Sequence, residues 1–234
     1  MNNVNQTLAQ HGWWLASRAS GVVALALVTI SVGLGLAMAG KLAKKPGANR
    51  TLVAIHEQTA LAGLVAIAVH GLTLLGDPWL NPGLSGIVVP FTMAYKTFFT
   101  GLGMVGGWLA ALLGLSFYVR RRIGPAFWRK AHRATIVVYV LGVIHTLGAG
   151  TDASSPWLYW PIALTAPAIG AMFTARVVHG IRKGRERKRK AAERRSERER
   201  APQAEPRNHP IGVGDRRAPR TQPALTAAMA EESA

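Results

Sequence analysis

Four histidines fall in two pairs, each pair inside an apolar stretch. His56 and His70 bracket thirteen residues in HEQTALAGLVAIAVH, and His132 and His145 bracket twelve in HRATIVVYVLGVIH. Hydrocarbon offers an imidazole no hydrogen-bonding partner, so an ionisable side chain at that depth is a candidate functional group. Neutral imidazole is also a metal ligand. A helix rises about 1.5 Å per residue, which separates the two members of each pair by roughly 20 Å along the axis. That is too far for one shared ion. It suits two sites stacked across a membrane, and two haem irons are the expected occupants.

The elements that carry these residues read as membrane spans. Residues 19–40, 58–76, 97–119, 134–151 and 153–175 contain no Asp, Glu, Lys or Arg. Each run is about the 18–20 residues needed to cross a roughly 30 Å hydrocarbon core. None alternates polar and apolar faces as a soluble domain would. The first run is too long for a signal peptide and lacks a basic leader. The expected fold is therefore all-α, an integral membrane helical bundle of about five transmembrane helices. Residues 1–16 read as a polar N-terminal lead ending at Trp13 and Trp14, 17–180 as the membrane domain, and 181–234 as a basic disordered cytoplasmic tail. The 234-residue chain has no cysteine, which excludes disulfides and thiolate chemistry.

A net charge of +17 suggests nucleic acid at first sight, but its distribution points to a membrane and no nucleic acid is expected. Lys41, Lys44, Lys45 and Arg50 follow the first run, and Arg120, Arg121, Arg122, Arg129 and Lys130 follow the third. Arg182 onward follows the fifth, while the loops near 77–96 and 152–156 hold almost no Lys or Arg. Positive loops stay cytoplasmic. The N-terminus is then outside and the C-terminus inside, in the cell membrane of a bacterium. The second loop, 76–96, contains the short apolar segment GIVVPFTM, which reads as a re-entrant or surface-lying cap. The basic run within 184–201 reads as a solvated positive-inside tail, with anionic lipid head groups, nucleic acid or a soluble partner as the alternatives.

This topology sets His56 and His132 near the inner face and His70 and His145 near the outer one. The ligand pairs expected are therefore His56 with His132 and His70 with His145, across helices. Fourteen residues at about 100° each return to within roughly 40° of one face, so His56 and His70 share a side. Thirteen residues miss by about 140°, so an ideal helix does not align His132 with His145. Tilt or an irregular first turn near His132 would have to correct that. Gly63 lies halfway between His56 and His70, and Gly71, Gly142 and Gly148 lie near ligand positions, where small residues allow close approach to a macrocycle or serve ordinary helix packing. Arg18 is the expected outer partner for a cofactor carboxylate, with snorkelling as the alternative. Arg129, Lys130 and Arg133 are the inner candidates, or plain positive-inside anchors. His11, His179 and His209 lack the paired pattern.

His-x13-His followed by His-x12-His resembles the ferric reductase-like transmembrane superfamily, which includes the NADPH oxidases, the ferric reductases and the haem-binding subunit of methionine-sulfoxide reductase. The segments SRASGVVALALVTISVGLGL and WRKAHRATIVVYVLGVIHTLGAGTD extend the likeness, which covers roughly residues 14–180. The resemblance implies two b-type haems, bis-histidine ligation and electron transfer. Members that oxidise NADPH carry an appended flavin and nicotinamide module and usually six helices. No dinucleotide-binding pattern follows the fifth run here. The donor expected is a separate flavoprotein, with FMN or FAD, or a quinol, and the acceptor lies on the outer side. The alternatives are a quinol-linked cytochrome b of another fold and a haem-free transporter or assembly factor.

Overall fold

Long uncharged runs of Ala, Leu, Val and Gly have no side chain that competes for backbone hydrogen bonds, and in lipid the backbone must satisfy itself. The computed structural model describes residues 2–40 and 48–200. It shows α1 (Asn2–Ala39), α2 (Ala48–Thr73), α3 (Gly83–Val88), α4 (Thr97–Ile123), α5 (Pro125–Ala131), α6 (Thr135–Ala149) and α7 (Pro156–Arg200). Among the described residues there is no strand. Five helical stretches are long and apolar enough to cross a membrane: His11–Ala39, Arg50–Gly76, Thr97–Ile123, Pro125–Ala149 and Pro156–Arg200. The chain is thus a multi-pass, all-α membrane protein. Its outward faces carry large apolar residues such as Leu72, Leu112, Leu115 and Leu164, which suit contact with lipid.

The chain divides into two units, Met1–Glu186 and Arg187–Ala234. In the first, α1 lies along α2 and α4 along α6, forming two hairpins. The hairpins meet through α1 on α6 and α2 on α4, so α2 and α6 stand diagonally across a four-helix arrangement with little direct packing between them. Both histidine pairs are therefore carried on the diagonal. A small core joins Val32 of α1, Tyr139 of α6 and Ile169 of α7. An Arg176 guanidinium nitrogen donates to the Ala39 carbonyl.

Two boundaries differ from the sequence reading. The lead at 1–16 is no separate segment, because no proline interrupts it and α1 starts at Asn2. Trp13 then packs against Gly76 and Trp14 lies under the Arg18 guanidinium. The segment 181–200, expected to be disordered, is helical. Its Arg, Lys, Glu and Ala are strong helix formers. Within the second unit Arg189–Glu193 at 3.3 Å and Arg195–Glu199 at 2.9 Å add pairs at the spacing that helices reward. Lys41, Lys44, Lys45, His209 and the rest of 201–234 lie outside the described residues.

The cap expected in 76–96 takes the form of α3, six residues long and far too short to span. It is tied to α4, since Trp108 Nε1 donates to the Val88 carbonyl at 2.9 Å and Phe91 lies over Gly101. Of the glycines noted in the sequence, Gly63 packs on Leu27 and Val28, and Gly148 lies under Phe99. Gly142 makes an ordinary contact with Leu25, and Gly71 faces open space. Helix contact within the second hairpin depends on Gly106, where a Cβ would stand 3.2 Å from Leu141 Cβ. Gly106→Val is expected to cost about 1–3 kcal/mol by overpacking. The measurement is thermal unfolding in detergent, with Gly33→Ala, where a Cβ meets nothing within 4 Å, as the control that does not lower the midpoint.

Candidate functional site

α2 presents His56 and His70 from one face, as the fourteen-residue spacing requires. The second pair obeys a different local rule. His132–Ala134 forms a 3-10 turn between α5 and α6. That turn advances about 120° per residue instead of about 100°, so it winds the helix further over its three residues and cuts the misalignment of His132 and His145 to roughly 80°. The irregular first turn that the spacing called for is present.

The rings meet across the diagonal. His56 and His132 have ring centres 6.0 Å apart at 88° between planes. His70 and His145 have centres 6.1 Å apart at 71°. Two imidazoles on opposite sides of one metal ion, each nitrogen about 2 Å from it, place ring centres roughly 6 Å apart. Among the described residues no three His, Asp or Glu side chains gather into a metal-binding group. Each pair thus supplies two donors and no more. A metal held there needs its remaining ligands from elsewhere, which an iron carrying its own four-nitrogen macrocycle provides.

The tautomers are fixed by the neighbouring helix. His70 Nδ1 donates to the Ser17 carbonyl at 2.7 Å, and the Ser17 hydroxyl donates back to the His70 carbonyl at 3.2 Å. One period deeper the same clasp recurs. His56 Nδ1 donates to the Ser31 carbonyl at 2.9 Å, and the Ser31 hydroxyl reaches the His56 carbonyl at 3.4 Å. His145 Nδ1 donates to the Phe99 carbonyl of α4 at 2.9 Å. A carbonyl can only accept, so Nδ1 carries the hydrogen in all three and Nε2 keeps its lone pair for a ligand. Threonines three residues on, Thr59 and Thr73, donate to the carbonyls of His56 and His70, each at 3.1 Å.

Glycines let these rings lie against helix backbone. A Cβ at Gly21 would stand 2.9 Å from His70 Nδ1, and one at Gly35 3.4 Å from His56 Cε1. A Cβ at Gly103 would run into the His145 ring. Ser17 with Gly21 and Ser31 with Gly35 form the same Ser-x3-Gly element twice, fourteen residues apart, matching His56 and His70. That repeat is a sequence signal for the two clasps. Phe99, Gly103, Ser116, Trp128 as a contact of His132, and Asp152 as a partner of Arg18 were missed, and no pattern marks them.

Arg18 has a partner within the protein. Its Nε and one terminal nitrogen bond both carboxylate oxygens of Asp152, in the turn after α6. Arg18 follows Ser17 in the chain, and Asp152 follows the helix that bears His145. The ion pair therefore joins the two hairpins beside the His70–His145 pair. Arg129, Lys130 and Arg133, close to His132 in the chain, are exposed, as are His11 and His179. Comparison with family models, curated proteins and solved structures finds no match, so the resemblance rests on the residues that carry it.

A double-mutant cycle tests the joint. Arg18→Gln and Asp152→Asn should each lower the unfolding midpoint in detergent. Together they should lower it by less than their sum, with a coupling of about 1–2 kcal/mol. Additive losses would mean the pair is not a joint.

Proposed function

We propose that the chain is a membrane electron-transfer protein whose histidine pairs hold two b-type haems, His56 with His132 and His70 with His145. The observation that supports this most is the 6.0 and 6.1 Å separation of ring centres across helices, on a diagonal where α2 and α6 have little direct packing. Three of the four Nε2 atoms have their lone pairs reserved by a carbonyl bound at Nδ1, which is the usual second-shell device for a ligating histidine. A haem held by these histidines would supply reversible one-electron chemistry. Arg129, Lys130 and Arg133 are the cations available to anionic groups beside His132. Arg18, paired with Asp152, locks the hairpins together beside the His70–His145 pair.

The reading agrees with the ferric reductase-like resemblance. It makes the chain the haem subunit of an oxidoreductase, taking electrons from a cytoplasmic-side flavoprotein or quinol and passing them to an outer-side acceptor. The orientation follows the basic clusters at 120–130 and beyond 182.

Purified protein should show a reduced b-type absorption spectrum with two haems per chain. His70→Ala and His132→Ala should each remove one, from different sites. A folded, colourless preparation would sink the proposal and favour a haem-free transporter. Since the chain has no cysteine, Ser154→Cys and Ser196→Cys provide single thiols for an orientation test. An impermeant maleimide added to whole cells should label the first only.

A further inference from the structure

Three of the four imidazoles are oriented by a backbone carbonyl, and one is not. His132 Nδ1 is buried without a hydrogen-bond partner. Its ring is stacked instead on Trp128, with 4.9 Å between centres and 22° between planes.

The reason lies in α4. Fourteen residues after Phe99 and Gly103, which receive His145, stand Leu113 and Phe117. Four helical turns bring these to nearly the same face. Gly103 admits a ring against the helix, whereas Phe117 has a bulky side chain at the equivalent place. The Leu113 carbonyl accepts the Ser116 hydroxyl at 2.6 Å. Ser116 Oγ in turn accepts Trp128 Nε1–H at 3.1 Å, and Phe117 packs edge-on against Trp128 at 5.8 Å. A chain of contacts thus runs from the α4 backbone through Ser116 and Trp128 to His132.

We infer that Trp128, anchored by Ser116, is the positioning residue for His132 and takes the place of the carbonyl that serves the other three histidines. The inference rests on the haem reading of this site. An indole face fixes the plane of the imidazole but gives its N–H no strong acceptor. His132 therefore lacks the added basicity that an outer-shell acceptor confers. The His56–His132 site is the more weakly held of the two, and it alone depends on Trp128.

The test follows haem transfer to excess apomyoglobin, together with the low-spin electron paramagnetic resonance signals of the oxidised protein. The wild type should release haem in two phases, and His132→Ala identifies the faster one by removing it. Trp128→Leu should speed that phase about tenfold and shift the matching signal, leaving the other phase and signal in place. Trp128→Phe, which keeps a flat ring, should restore most of the difference. Ser116→Ala, which does not touch the histidine, should shift the same signal by less. Both phases unchanged in Trp128→Leu and Ser116→Ala, or both changed equally, would overturn the inference while the haem reading stands. A colourless wild-type chain overturns both.

Discussion

An imidazole among membrane-spanning helices has two ring nitrogens to satisfy and no water to satisfy them. The hydrogen bond from Nδ1 to a backbone carbonyl answers half of that demand and sets the rest of the structure. Ser17, Ser31 and Phe99 sit within helices, where carbonyls are normally committed along the chain. A carbonyl has two lone pairs, so each can accept a second bond from a ring pressed against the helix. That approach needs space, and Gly21, Gly35 and Gly103 provide it. The close packing of α1 on α2 and of α4 on α6 follows from the same requirement. Each hairpin brings a histidine helix against a helix of accepting carbonyls, and leaves Nε2 available to the diagonal.

The two hairpins meet the requirement differently. In α1–α2 the solution is copied. Serine, glycine, histidine and threonine recur together after fourteen residues, which is about four turns and nearly the same face. One local design therefore serves both depths without a change in helix geometry. In the second hairpin the spacing is thirteen, and the helix cannot stay regular. The 3-10 turn at His132–Ala134 absorbs part of the mismatch, and Trp128 replaces a carbonyl that α4 does not offer.

What the sequence made legible follows from this contrast. Span number and the cross-helix pairing by depth needed only hydropathy, loop charge and helix rise. The need for an irregular turn at His132 was also legible, because thirteen is a poor multiple of the helical period. The Ser-x3-Gly repeat of α1 is a weak signal by itself, since glycine is common in membrane helices. Asp152 as the partner of Arg18 was not legible. The two are 134 positions apart, and only the closing of the bundle brings the turn after α6 to Arg18 of α1. Helix ends were misjudged for another reason. Charge marked where a span should stop, but a helix does not end merely because it becomes polar, and 181–200 continues as helix.

The ion pair shows why such long-range partners matter to the site. Arg18 is the residue after the one whose carbonyl holds His70, and Asp152 lies in the turn that ends the helix of His145. An arginine left unpaired near hydrocarbon would pull its segment toward water. Paired with Asp152, it draws the two hairpins together at that depth. No comparable joint is available at the His56–His132 end among the described residues, where Arg129, Lys130 and Arg133 are exposed. There the orientation of His132 falls to an aromatic stack, which fixes a plane but not a proton. The two histidine pairs share one separation of ring centres, yet they are held by forces of different kind, and that difference lets substitutions at one depth leave the other undisturbed.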